Sequence, residues 1–142
     1  MSANACEELA RTAEAIAREH PEWKGHDFLV ELGSRVAGIG RGRTAVLGLV
    51  LGGRPRLKGG GFRAELRDHT AGQARHFAGV ARAVTVFGPD RTLWLSVHVR
   101  RDAPDSPDGR LTDLGVEFAT GVLEGTLPEA QAGDWIRQHV CG

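Results

Sequence analysis

Five segments of the chain carry apolar residues at steps of three and four positions, and this helical period constrains the fold more than any other feature. Residues spaced in this way lie on one face of a helix, where they can be buried together. The segments are Cys6–Ala17, Phe28–Val36, Ala74–Val84, Leu111–Val122 and Ala132–Val140. The pattern therefore predicts an all-α protein.

Signals for helix ends flank these segments. A cap residue followed three positions later by Glu or Gln is typical of a capping box at the start of a helix. Three such boxes are predicted, at Asn4 with Glu7, Thr70 with Gln73 and Thr126 with Glu129. The second helix is expected to begin after Asp27. His20 before Pro21 ends the first helix, "FGPD" (87–90) ends the third and Gly125 ends the fourth.

Two further segments can be interpreted in more than one way. Residues 45–53, "AVLGLVLGG", are apolar almost throughout and form either a short buried helix or a strand. Residues 92–99 alternate as in a strand, although Asp90 is a good helix cap for the same residues. We predict a single compact bundle of six to seven helices. The alternative is an α+β fold with a small hairpin at 84–99.

Length and composition indicate one ordinary globular domain over residues 1–142. The chain is long enough to bury a core, and 41% of its residues are hydrophobic and 25% charged. The first residues lack the pattern of a signal peptide, and no apolar run reaches the roughly 20 residues that span a bilayer. We therefore expect a cytoplasmic location without a transmembrane segment. Cys6 and Cys141 have no metal-ligand spacing, so no metal or cofactor is predicted, and a bond between them is expected only in a secreted protein.

The charges are unevenly distributed along a chain whose net charge is zero. Residues 35–101 contain thirteen basic and three acidic residues, a net charge of +10, while both flanking segments are acidic. Arginine makes bidentate contacts with phosphate and carboxylate groups. The candidate anion-binding residues are Arg41, Arg43, Arg54, Arg56 and Lys58. The first hypothesis is therefore a small helical domain that binds an anionic partner through this arginine-rich segment.

The partner could be a phosphate-bearing ligand, an acidic protein surface or a nucleic acid. Proteins that bind single strands usually stack the bases on aromatic side chains, and between residues 35 and 77 only Phe62 and Phe77 are aromatic. A nucleic acid is therefore the less supported partner. The charge pattern is also consistent with segments that neutralise one another after folding. Abundant arginine is, in addition, typical of GC-rich bacterial genomes.

The second hypothesis is a small hydrolase or toxin-like effector. "FRAELRDHTAGQARHF" (62–77) brings Glu65, Asp68 and His76 together, and Asp113 follows in the next predicted helix. A carboxylate paired with an imidazole is a common general acid–base arrangement. If the Thr70 cap breaks the helix, the same side chains could instead be the solvated surface of a helix junction. The spacing is not diagnostic of any catalytic set, so the anion-binding hypothesis is slightly preferred.

The segments "ELRDHTAGQARHFAG", "DLGVEFATGVLEG" and "WIRQHV" resemble a pattern found in uncharacterised helical bacterial proteins. In that pattern an Asp, a Gln-x-x-His-Phe segment and a later Asp-Leu helix recur. The resemblance covers about 80 residues from Phe62 onward. It implies that the C-terminal two-thirds are helical, and it singles out Asp68, Gln73, His76 and Asp113. It implies no function.

Overall fold

The part of the chain that the structure describes is mostly helical. The structure is a computed structural model that describes residues 4–40, 57–68, 70–98 and 103–142. Its five α-helices are α1 (Ala5–Glu19), α2 (Gly25–Ala37), α3 (Gln73–His98), α4 (Pro107–Glu124) and α5 (Ala132–His139). Short 3₁₀ turns at Ala64–Leu66 and Glu129–Gln131 precede α3 and α5.

The all-α prediction is confirmed for the described residues. They contain five helices, so the predicted count of six to seven is not confirmed. The apolar element predicted at 45–53 lies outside the described residues. The alternative hairpin at 84–99 is wrong, because residues 84–98 belong to α3. The alternation in 92–99 places Val97 on a buried face, but in the helix Val97 is exposed, whereas Thr92 and Ser96, four positions apart, are buried.

The predicted break at "FGPD" appears as a kink within α3. Gly88 has φ 81° and ψ 170°, which is outside the helical region, and Pro89 follows it. A positive φ is strained for any residue with a Cβ atom, so glycine is required at this point. The kink divides α3 into two helical halves that differ in direction, and the second half carries Ser96 back to the bundle.

Only one of the three predicted capping boxes is present, and only in part. The Asn4 side chain accepts a hydrogen bond of 2.9 Å from the Glu7 backbone N–H, as expected for a cap. The Glu7 side chain, however, binds Arg137 on α5. The other two boxes are wrong, because α3 begins at Gln73 itself and α5 begins only at Ala132.

Hydrogen bonds to residues five positions earlier in the chain account for both wrong predictions. The Gln73 side chain donates to Asp68, and the Thr126 hydroxyl donates to the carbonyl of Gly121 at the end of α4. The second helix also begins earlier than predicted, at Gly25.

All five helices contribute to one buried apolar cluster. Helix α3 packs on α2 and α4, and α1 packs on α2 and α5. Phe77 of α3 and Phe118 of α4 are fully buried, with ring centroids 5.1 Å apart. A Cβ atom at Gly115 would lie 2.9 Å from Val80 Cγ1, so glycine lets α4 approach α3 closely. This close pairing of α3 and α4 positions the polar site described below.

Three segments meet at a terminal junction, which comprises residues 4–6, 59–63 and 140–142. Cys6 and Cys141 form a disulfide bond with Cα atoms 5.6 Å apart. Backbone hydrogen bonds join the three segments, from Cys6 to Gly60, from Arg63 to Val140 and from Gly142 to Gly61. The middle segment therefore has fixed neighbours on both sides, and it leads directly to Asp68.

The described helices agree with the prediction that the chain contains no transmembrane segment. None of the described helices is long and apolar enough to cross a membrane.

Candidate acid–base site

A polar pocket lies where the start of α3 meets the start of α4. Its volume is about 210 Å³. Acidic, amide, hydroxyl, guanidinium and imidazole groups all line it, from Asp68, Thr70, Gly72, Gln73, Arg75, His76 and Asp108. A concave site with several convergent polar groups is the usual location of ligand binding or catalysis.

The Asp68 carboxylate is held by three donors, two from Thr70 in the turn that precedes α3 and one from Gln73, the first residue of α3. Its Oδ1 atom accepts hydrogen bonds of 2.7 Å from both the Thr70 backbone N–H and the Thr70 hydroxyl, and one of 2.8 Å from Gln73 Nε2. Gln73 is itself buried, and its amide also donates to the Thr70 carbonyl. The turn therefore fixes the position of the carboxylate before α3 begins.

These contacts also determine the charge of Asp68. Partial burial is the largest single effect and raises the pKa of this carboxyl, but the hydrogen bonds with Thr70, Asp108 and Gln73 together outweigh it. The net result is an Asp68 pKa below its ordinary value. Asp68 therefore favours the ionised form, and Asp108 lines the same pocket as a second carboxyl group.

His76 lies beside this pair in the first turn of α3. Its side chain is almost fully buried, and its Nδ1 atom is 4.0 Å from Asp108 Oδ1. On the other side of the ring, Nε2 lies 2.8 Å from the hydroxyl of Thr112 in α4. The imidazole thus connects the pocket with the interior of the protein.

A second buried hydroxyl extends this connection. Ser96, in the part of α3 that follows the kink, donates from Oγ to Thr112 Oγ1 at 3.3 Å. Both residues are buried, with 6% of Ser96 and 2% of Thr112 exposed. Neither residue is among those that line the pocket.

Two of the four residues in the predicted catalytic cluster line the pocket, and two do not. Asp68 and His76 are in it, whereas Glu65 and Asp113 are exposed and are not among its lining residues. Glu65 belongs to the 3₁₀ turn whose buried side chain is Leu66. Asp113 follows buried Thr112, and successive helical residues point about 100° apart, so its carboxylate points to solvent. His69 lies outside the described residues.

Asp108 is the carboxylate that sequence reasoning missed. It lies in "DAPDSPDG", which reads as an acidic loop. The Ser106 side chain accepts from the Gly109 N–H and caps α4, with Pro107 at the first helical position. This Ser-Pro start is a recognisable helix signal. It would have placed Asp108 in the first turn, one helical turn before Thr112, with its carboxylate next to a favourable helix N-terminus.

Most of the predicted anion-binding residues lie outside the part of the chain that the structure describes. Arg41, Arg43, Arg54 and Arg56 are outside the described residues, and Lys58 is exposed. Among the described residues, no group of three or more His, Cys, Asp or Glu side chains is arranged to hold a metal ion.

Comparison with known proteins found no relative of this chain. Neither a protein-family model, nor a curated protein, nor a solved structure matches the chain.

Proposed function

We propose that the pocket is the acid–base site of a small hydrolase, with Asp68 and Asp108 as its catalytic carboxyl groups. The observation that most supports this function is that two carboxyl groups, Asp68 and Asp108, line one polar pocket together with the buried imidazole of His76. A carboxyl pair with one shared proton can provide a base and an acid for the same reaction.

In the proposed reaction, ionised Asp68 accepts a proton from a water molecule as the water oxygen attacks the substrate carbonyl. Asp108 supplies the shared proton, so that the bond from the carbonyl carbon to the leaving oxygen or nitrogen can break. One proton enters the pair and one leaves it, and the pair returns to its initial state. His76 positions Asp108, and Arg75 provides a cation at the pocket wall.

Esters and amides fit this pair better than glycosides do. Glycosidases generally separate their two carboxyl groups by about 5 Å or more, to leave room for the sugar or for a water molecule. A hydrogen-bonded pair is closer than this. We therefore propose acyl transfer to water as the reaction class.

Activity can be tested with a panel of p-nitrophenyl esters and fluorogenic peptides. We expect a bell-shaped pH profile, and we expect Asp68→Asn and Asp108→Asn each to lower kcat/KM by about 100-fold or more. Asp113→Asn is the matched control, because Asp113 is on the same helix but outside the pocket, and it should retain wild-type activity. Absence of turnover across the panel, or equal activity in all variants, would reject the hydrolase.

Binding of an anionic partner through the arginine-rich segment is a second proposal. The net charge of +10 over residues 35–101 supports it, as does the presence of Arg75 at the pocket. Heparin and a single-stranded RNA oligonucleotide are suitable probes, with an acidic peptide as a third. We expect affinity to fall steeply with salt, and neutralisation of Arg41, Arg43, Arg54 and Arg56 to remove it. Salt-independent binding, or none, would reject this proposal.

A third proposal concerns the cellular compartment in which the protein functions. The sequence favours the cytoplasm, but the Cys6–Cys141 disulfide supports an oxidising compartment, because reduced thiols prevail in the cytosol. We propose that the protein functions where this bond is retained. Thiol trapping of the protein in its native cells would test this, and two free cysteines would reject it.

A further inference from the structure

Two buried hydroxyl groups, neither of which lines the pocket, lie on the Nε2 side of His76. Thr112 Oγ1 is 2.8 Å from His76 Nε2, and Ser96 Oγ donates to Thr112 Oγ1. Ser96 reaches this position because the Gly88 kink turns the second half of α3 towards α4. The contact is built from three separate stretches of helix, and the proposed reaction does not by itself use either hydroxyl.

The donors and acceptors of this chain can be assigned in order. A hydroxyl group has one proton to donate. Since Thr112 Oγ1 accepts the proton of Ser96, its own proton can be directed at the ring nitrogen 2.8 Å away. Nε2 is then an acceptor, and in a neutral imidazole the proton must be on Nδ1.

The atoms near Nδ1, on the pocket side of the ring, favour the same assignment of the imidazole proton. Nδ1 lies 4.0 Å from Asp108 Oδ1, and Asp68 lines the same pocket. The opposite tautomer would direct the lone pair of Nδ1 at an oxygen that also carries lone pairs, which is repulsive. With the proton on Nδ1, each donor from Ser96 through Thr112 and His76 is directed towards the carboxyl pair.

We infer that Ser96 and Thr112 are positioning residues that hold His76 as the Nδ1–H tautomer, with its N–H directed at Asp108. The neutral ring then presents the partial positive charge of its N–H to the Asp108 oxygen across 4.0 Å, which favours this orientation of the carboxyl group. The catalytic consequence rests on the proposed hydrolase function. The tautomer itself is a property of the folded protein and can be measured without a substrate.

Long-range ¹H–¹⁵N NMR correlation distinguishes the two tautomers of a histidine directly. The spectrum of the ¹⁵N-labelled full chain would be recorded at about pH 8, above the ordinary imidazole pKa of about 6.5, with His76→Gln to assign the signals. We expect the Nδ1–H pattern for His76. Thr112→Val keeps the side-chain shape but removes the hydroxyl, and it should abolish this pattern, whereas Thr112→Ser should preserve it. Ser96→Ala should convert the signal to a mixture of tautomers.

The outcomes separate this inference from the proposed function. An Nε2–H pattern in the wild type, or a pattern unchanged by Thr112→Val, would overturn the inference. If Thr112→Val does not fold, the wild-type spectrum and Ser96→Ala still decide the question. The Nδ1–H pattern in a protein that hydrolyses none of the probes would support the tautomer and reject the hydrolase. In an active enzyme, Thr112→Val should lower kcat and shift the pH profile, and Thr112→Ser should restore both.

Discussion

Cys6 and Cys141 are joined by a disulfide bond across 135 positions of the chain. This bond lies in the terminal junction, whose middle segment, residues 59–63, leads to Asp68. Nearly the whole chain lies between the two cysteines. The segment that carries Asp68 has only one 3₁₀ turn of its own. Its position therefore depends on the neighbouring termini that the disulfide holds together.

Removal of this bond should lower the stability considerably. Since the bond closes a loop of 135 residues, its loss should reduce the free energy of unfolding by up to about 5 kcal/mol in the chain-entropy account. Urea denaturation of Cys6→Ala/Cys141→Ala against the wild type would measure this effect. Dithiothreitol should destabilise the wild type and leave the double variant unchanged. Equal midpoints for both proteins would contradict the prediction.

Arg137 should make stability depend on pH in the acidic range. Its guanidinium binds Glu7 and Glu14 of α1, and these hydrogen bonds hold the pKa of both carboxyls below the ordinary value of 4.5. A lowered folded pKa contributes stability above the unfolded value, and this contribution is lost as the pH falls through the folded value. The stabilisation from this group of charges should therefore be complete near neutral pH and disappear below about pH 4.5.

Arg137→Gln tests this dependence. We expect a loss of roughly 1–2 kcal/mol near pH 7 and a smaller loss near pH 3, measured by urea denaturation at both values. Arg11→Gln is a useful control, because Arg11 is more exposed and its ion pairs within the described part of the chain are with Glu7 and Glu8 of its own helix. The same loss at both pH values for Arg137→Gln would argue against an ionic origin of the stabilisation.

The two glycines of α3 should respond to alanine in opposite ways. At Gly88 the φ of 81° disfavours a Cβ atom, so Gly88→Ala should destabilise the protein by about 1 kcal/mol or more. At Gly79 the nearest atom to an added Cβ is Ile39 Cδ1 at 4.0 Å, and Gly79→Ala should stabilise by about 0.5–1 kcal/mol. Thermal denaturation of both variants would test the pair, and effects of the same sign would contradict it.

The Thr70 hydroxyl should contribute to the low pKa of Asp68. Thr70→Val removes the 2.7 Å hydroxyl contact and keeps the backbone N–H, so the pKa of Asp68 should rise. The carboxyl chemical shift of Asp68, followed by NMR during a pH titration, would report the change. Thr126→Val is the control, because that hydroxyl donates to Gly121 and not to Asp68. No rise after Thr70→Val would mean that the other donors suffice.

The candidate site can be found only in part from the sequence. Asp68, Gln73 and His76 lie within nine positions of one another, so local spacing is enough to bring them to notice. The sequence favours Asp113 as the distant carboxylate, but the structure places Asp108 at the pocket. The five positions between them correspond to a rotation of about 140° around the helix, and the sequence does not state which side of α4 faces α3.

The sequence by itself determined the helical class of the described residues and the Asn4 cap of α1. The apolar period and the short polar cap are local properties, and local spacing along one helix is sufficient to specify them. Only the tertiary structure decided the pairing of Cys6 with Cys141, the place of Asp108 beside Asp68, and the contacts from Ser96 to Thr112 and His76. These contacts depend on the Gly88 kink and on the close approach of α4 to α3. They join residues that are far apart in the chain, because burial of the shared apolar core fixes how the helices pack.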